Sequence, residues 1–310
     1  MKDFAFEDVT DLHVDTVSPT EQSVLFPGQV RVQGDAMVSF VNRLADEIRA
    51  IHKANPGRNR FTVKGDIGRF RVQHMMADKY AVRVINDLPS FDKHSFSKPH
   101  VAKLCSEDYL KTGGLIMIVG PAGSGKTSTA VSTLRKRLEM FGGFALTVED
   151  PPEYDLRGFV GEDGYCEQLD VTEIGFEKGL EISLRSFPSK NSSMLFFGEV
   201  RSKAAAAELL RIAVDGHLVI TTLHAKDIPS AITRLISMAS NDGEDEARYL
   251  LAQSLKLVIH QQIDEQNIVK LEALDVDSTA SSIIRNPQAE MNLTDCIRRT
   301  KQMLNAARTA

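Results

Sequence analysis

The sequence predicts an α/β protein in two parts: a small α+β unit over residues 1–98, and a larger α/β domain over residues 99–310 that ends in a helical region. Three observations predict it. Short alternating segments around one amphipathic stretch fill the first 85 residues; from Val101 apolar runs alternate with helical periodicity; and a glycine-rich octet, Gly120 to Thr127, joins an apolar run to a helical pattern. A chain of 310 residues with 42% hydrophobic and 25% charged side chains has the length of roughly two domains. Its composition is that of a folded chain and excludes a disordered or collagen-like one.

The elements follow in order. Asp11-Leu12-His13-Val14-Asp15 alternates polar and apolar residues, and Val24-Leu25-Phe26 and Val30-Arg31-Val32 flank Pro27-Gly28 as strands flank a turn. Over residues 35–53, Met37, Phe40, Val41, Leu44, Ile48 and Ile51 recur at steps of three and four, the spacing of one helix face, and Asn55-Pro56-Gly57 ends it. Phe61-Thr62-Val63, Arg69-Phe70-Arg71-Val72-Gln73 and residues 80–85 read as strands, and alternation points Phe70 and Val72 inward, Arg69 and Arg71 outward. Residues 86–99, with two prolines and three serines, read as a linker. Beyond it, strands are expected at 115–119, 145–148, 194–197 and 218–222. Helices are expected at 204–214 before Gly216, at 228–239, at 243–259 and at 294–307.

Several function classes drop out on composition. The longest uninterrupted apolar run, residues 115–119, is far below the ~20 residues of a membrane-spanning helix. Asp3, Glu7, Asp8 and Asp11 stand where a secretory signal would place a basic head and an apolar middle, so a cytoplasmic protein is expected. Cys105, Cys166 and Cys296 are too widely spaced for a paired zinc or redox motif and read as free thiols. With 37 Lys and Arg against 42 Asp and Glu, the formal charge of −5 argues against a general nucleic-acid binder.

Gly120-Pro121-Ala122-Gly123-Ser124-Gly125-Lys126-Thr127, with Ser128 following, matches the phosphate-binding loop pattern, in the strand-to-helix context that pattern requires. Glycines let backbone N–H groups wrap phosphate oxygens, and the next helix turns its positive end toward them. Lys126 would reach the β- and γ-phosphates of ATP, and Thr127 would offer a hydroxyl to Mg²⁺. Two acidic segments end apolar runs: Gly198-Glu199, and Glu149-Asp150-Pro151-Pro152-Glu153. Both are expected at the carboxyl edge of the sheet, where open α/β folds hold ligands, in one cleft. Glu199 is the candidate for polarising water and for holding Mg²⁺ partly through water. His224, at the same edge, is placed to contact the γ-phosphate or Glu199, whereas His217 falls at the opposite end of its strand and suits a subunit contact.

The phosphate loop, the acidic box Thr147-Val148-Glu149-Asp150-Pro151-Pro152-Glu153, the segment Gly198-Glu199-Val200-Arg201 and the two histidines stand in the order of the type II/type IV secretion ATPase superfamily. The chain resembles the pilus retraction branch most. Asp11-Leu12-His13, Gly68-Arg69-Phe70-Arg71-Val72 and Arg83 before Leu88-Pro89-Ser90 extend the resemblance forward, and residues 278–286 look like a degenerate retraction motif. The resemblance implies a PAS-like N-terminal domain, a RecA-like ATPase domain and a homo-hexameric ring powered by ATP with Mg²⁺. By position it implies that Lys126 and Thr127 bind phosphate and Mg²⁺, that Glu199 is the Walker B glutamate, Glu153 the acidic-box glutamate and His217 and His224 the histidine box, and that Glu199, Glu153, Lys126 and His224 carry catalysis. Arg69, Arg71, Arg83 and Arg185 become candidates for phosphate or intersubunit contacts. Inner-membrane platform or secretion-channel proteins are the implied partners, with attachment to the membrane through them.

The sequence also departs from the family pattern. Residues 186–193 replace a short acidic connection, Glu181 stands where arginine is usual, and Ser202 where aspartate is common. Three scattered cysteines cannot build the tetracysteine zinc module of the assembly and type II branches. Pilus retraction and type IV secretion or conjugation both remain open. A RecA-like DNA motor or helicase would use the same loop but needs a basic track, and a nucleotide-binding scaffold with little turnover would fit the altered connection.

Overall fold

The computed structural model describes residues 9–66, 68–85, 88, 105, 107–189, 193–240, 243–265 and 269–306. The acidic first eight residues, all of the expected linker except Leu88, residues 190–192 of the altered connection and Ala307 lie outside them. The chain divides into two units, one of Met1–Asp87 with Pro151–Asp155, the other of Leu88–Asp150 with Leu156–Ala310.

In the first unit six strands pair antiparallel: β1 (Asp11–Asp15), β2 (Val24–Phe26), β3 (Val30–Arg31), β4 (Arg60–Gly65), β5 (Gly68–Met76) and β6 (Lys79–Ile85), in the order β3-β2-β1-β6-β5-β4. A short helix α1 (Pro19–Gln22) precedes β2, and the long α2 (Asp35–Ala54) packs on the sheet. The apolar stripe of α2 explains why it does so. Phe40, Val41, Leu44, Ala45 and Ile48 are buried against Leu12, Val14, Leu25, Phe61, Phe70 and Val82. Each fully buried leucine there stabilises the unit by about 1.5–3 kcal/mol relative to exposure. At its end Asn55 N–H donates back to the carbonyls of Ile51 and His52, and Pro56 stops propagation. Alternation along β5 buries Phe70 and Val72 and leaves Arg69 and Arg71 on the other face, where Arg71 stands opposite Arg83 of β6.

The second unit holds a mixed sheet in the order β14-β13-β7-β12-β11-β8-β10-β9. Its strands are β7 (Gly114–Gly120), β8 (Gly143–Glu149), β9 (Gly158–Val160), β10 (Gly164–Asp170), β11 (Ser193–Phe197), β12 (Leu218–His224), β13 (Leu255–Ile263) and β14 (Val269–Asp275). The six inner strands are parallel, and β9 and β14 close the edges antiparallel. Helices α3 (Lys126–Phe141), α4 (Gly175–Ser186), α5 (Lys203–Val214), α6 (Ile228–Ala239) and α7 (Glu244–Ser254) connect them; α8 (Ser278–Arg285) and α9 (Thr294–Ala306) form the terminal helical region. Burial on both faces is why β7 and β11 read as unbroken apolar runs.

Two corrections to the sequence expectation arise here. The helix expected at 243–259 stops at Ser254, and Leu255 onward is β13. Leu255, Leu257, Val258 and Ile259 are all buried, and a short continuous apolar run does not distinguish a buried strand from a buried helix. Strands β9, β10 and β14 are additional to the four read from the sequence of this domain. Their residues, such as Gly-Tyr-Cys-Glu-Gln-Leu-Asp in β10, carry little apolar signal, and pairing with β8 makes that segment a strand.

Candidate phosphate-loop site

The loop begins where β7 ends. Gly120, Gly123 and Gly125 adopt φ of 153°, 74° and 78°, a region that side chains disfavour, so the glycines of the motif are required by the backbone itself. An added Cβ at Gly123 would meet nothing within 4 Å, so the loop is open on that side. Lys126 is the first residue of α3 and only 7% exposed; its Nζ donates to Pro121 O at 2.6 Å, and Ser124 Oγ donates to the same carbonyl at 2.9 Å. The Thr127 hydroxyl follows on the first turn. A glycine-built cradle with a lysine and a hydroxyl at a helix N-terminus fits a nucleotide's phosphates with Mg²⁺.

The strand order sets the neighbours of this loop. Its root at Gly120 is level with His224 of β12, and beyond β12 comes β11, whose end carries Glu199. The carboxylate of Glu199 is held from two sides: Arg201 Nε donates to Oε2 at 2.7 Å, and His224 Nε2 lies 3.3 Å from Oε1. Hydrogen bonds to the backbone fix its base. Gly198 N–H donates to Val148 O at 3.0 Å, Thr222 Oγ1 donates to Gly198 O, and Val200 N–H donates to Thr222 O at 3.3 Å. Three adjacent parallel strands thus pin one carboxylate at the carboxyl edge of the sheet.

The other acidic segment does not act as one group. Glu149 is 4% exposed, and its Oε1 accepts from Thr147 Oγ1 at 2.7 Å and Gln168 Nε2 at 3.1 Å, so this carboxylate is turned into the sheet instead of the cleft where the sequence places it. Hydrogen-bonding side chains on β8 and β10 satisfy it there. Glu153 belongs to the first unit, where Arg71 Nη2 donates to its Oε1 at 2.7 Å and to Pro151 O at 3.2 Å. Lys64 pairs with Asp155 in the same unit at 3.0 Å.

The remaining arginines are spread. Arg83 Nε donates to Asp11 at 2.8 Å; with Arg71, Gln73 and His13 both line a depression of about 170 Å³ on the face of the first sheet opposite α2. Arg69 is half-buried on β5. Arg185 is exposed on α4 and pairs with Glu181 at 3.0 Å. His217 precedes β12 at the edge opposite His224 and stacks on Phe187 with ring centroids 4.4 Å apart; burial pushes its imidazole below the usual histidine range.

A sequence profile of the type II/IV secretion system protein family matches residues 7–305. The chain belongs to that family. Among curated relatives, the type II secretion system protein HxcR of Pseudomonas aeruginosa is 34% identical over 150 residues, which are 48% of this chain and 29% of that protein. The protein transport protein HofB homolog of Haemophilus influenzae is 28% identical over 277 residues, 83% of this chain and 55% of its own length. The chain therefore spans about a third to a half of these two relatives. Among solved structures, the pilus retraction motor PilT with bound ADP superposes with a TM-score of 0.69 at 22% identity, covering 96% of this chain and 86% of that one. The ATPase DotB of Legionella pneumophila gives 0.68 at 18%, covering 96% and 84%. Both likenesses carry the fold: an N-terminal domain followed by a RecA-like P-loop domain. Among the described residues no helix is long and apolar enough to cross a membrane.

Arg201 was quoted only as part of a motif, and its grip on Glu199 is set by the turn after β11.

Proposed function

We propose that the chain is a Mg²⁺-dependent ATPase that works as a homo-hexameric motor for a type IV pilus or a type IV secretion or conjugation machine. The observation that carries this reading is the fixed carboxylate of Glu199, two strands from a glycine-built phosphate loop and held between Arg201 and His224. Phosphate binding alone needs no such group; hydrolysis needs one to position water. In this reading Lys126 donates to the β- and γ-phosphates, the loop's backbone N–H groups from Ala122 onward surround them, and Glu199 accepts a hydrogen bond from the attacking water. His224 holds Glu199 and reports the state of the γ-phosphate. Thr127 and, through water, Glu199 would hold Mg²⁺, which would supply positive charge against the charge developing on the phosphates.

Family membership supports the motor reading, as do the roles of similar proteins: PilT is a pilus retraction motor and ComGA of Bacillus subtilis a competence protein. Inner-membrane platform or channel proteins would then dock the ring, and the chain would sit on the cytoplasmic side of that membrane.

Steady-state ATP hydrolysis per subunit, measured against protein concentration, tests the ring. Specific activity is expected to rise steeply and then saturate as assembly completes the sites; a flat profile with robust turnover would show that each chain works alone. Alanine at both Arg69 and Arg71 is expected to slow hydrolysis by about tenfold or more, since an arginine acting on the nucleotide is worth a large rate factor. Circular dichroism of that variant should match the parent, because both side chains lie off the buried face of β5. Undiminished turnover would discard the arginine assignment.

A further inference from the structure

We propose that Gln261 is a positioning residue of the phosphate loop: its side-chain amide, reaching from the neighbouring strand, sets the direction in which the loop presents its backbone N–H groups. The inference rests on the proposed nucleotide site and assigns it a residue outside the loop motif.

Gln261 lies in β13, the strand beside β7, one residue beyond the point where His260 pairs with Val119. It is 1% exposed, and both ends of its amide are engaged. Nε2 donates to the backbone carbonyl of Ser124, in the middle of the loop, and Oε1 accepts from Thr129 Oγ1 on the first turn of α3 at 2.7 Å. One side chain therefore ties the loop's crown to the helix that follows it. The backbone is equally close: a Cβ at Gly120 would collide with the Gln261 carbonyl, and one at Gly125 would press on Nε2 at 3.0 Å. Gly120 and Gly125 are thus glycines partly because Gln261 runs beneath the loop.

The consequence follows from peptide geometry. In a planar trans peptide the Ser124 carbonyl and the Gly125 N–H point in opposite directions. Holding the Ser124 oxygen toward β13 turns the Gly125 N–H away from β13, toward the open side of the loop, where phosphate oxygens would need donors. The orientation of the amide is also determined. Ser124 O can only accept, so Nε2 must face it, and the Thr129 hydroxyl, which can donate or accept, adapts by donating to Oε1. Replacing the amide by an apolar chain of similar length leaves a buried carbonyl unsatisfied and frees the peptide to rotate.

The test compares ATP binding by calorimetry, KM and kcat for hydrolysis, and thermal unfolding of the nucleotide-free chain, in the parent and in Gln261→Met and Thr129→Val. Met conserves volume and removes both hydrogen bonds. The expected result is an ATP dissociation constant raised about tenfold in Gln261→Met at a temperature where the chain is fully folded, the loss of roughly one hydrogen bond's worth of alignment. KM should follow that increase while kcat falls by less, because loop geometry acts on bound substrate and transition state together. Thr129→Val should move the same way by a smaller factor. A residue that merely filled the core would lower the melting temperature and the active fraction, hence kcat, with KM and the dissociation constant unchanged, and that result overturns the proposal. If Gln261→Met does not fold, Thr129→Val decides: parent-like ATP affinity overturns the proposal and weakened affinity supports it. A parent chain that binds no ATP would instead remove the proposed function, and this inference with it.

Discussion

Lys126→Ala is expected to abolish nucleotide binding and, with it, hydrolysis. Lys126 is buried at the start of α3, and its Nζ donates to the Pro121 carbonyl across the loop, which keeps the ammonium at the phosphate cradle. Charge-assisted hydrogen bonds are worth about 1.5–3 kcal/mol each, so losing contacts to two phosphate groups weakens binding by roughly a hundredfold or more. The glycine cradle and helix N-terminus would remain, but backbone dipoles alone do not match the charge of a triphosphate. Calorimetry with ATP and phosphate-release kinetics read the effect directly. Parent-like affinity and turnover in this variant would refute the site.

Glu199→Gln is expected to separate binding from turnover. The substitution is isosteric and keeps an acceptor oxygen for Arg201 or His224, so the loop between β11 and α5 keeps its path and ATP affinity stays within a few-fold of the parent. What goes is the charge that polarises water. General-base or water-positioning groups contribute typically 10²–10⁴-fold, and kcat should fall by about that amount. The experiment also discriminates the scaffold reading, because a chain that never hydrolysed ATP would show no rate to lose. If binding and turnover both persist, the catalytic role moves to the acidic segment. Glu153 is then the group to test, since Glu149 is already committed to Thr147 and Gln168.

Legibility in the sequence varied with the range of the determining interaction. The helix Asp35–Ala54, the strand β7 and the phosphate loop were readable because each is encoded locally, by period, by an unbroken apolar run, or by glycines that the backbone needs at positive φ. The edge position of Glu199 and His224 was readable too, since both follow strands buried along their length. The second half of the 243–259 stretch was misread because Leu255–Ile263 becomes a strand only through pairing with β7 and β14, more than 130 residues before it in one case. The acidic box was read as one cluster facing one cleft. Its members separate because Glu149 finds hydrogen-bond donors inside the sheet while Glu153 finds Arg71 in the first unit, and no local pattern records such choices.

By itself, then, the amino-acid sequence determined the two-part α/β architecture, the phosphate loop, the strand-end glutamate and histidine, and the family. Periodicity and steric demand act over a few residues, and a sequence displays them openly. Tertiary structure alone decided which carboxylate stays available, that Arg201 and His224 grip Glu199 from two sides, and that Gln261 ties Ser124 to Thr129 beneath the loop. Those are hydrogen bonds between side chains brought together by strand order, and their partners are fixed only when β13, β7, β12 and β11 lie side by side.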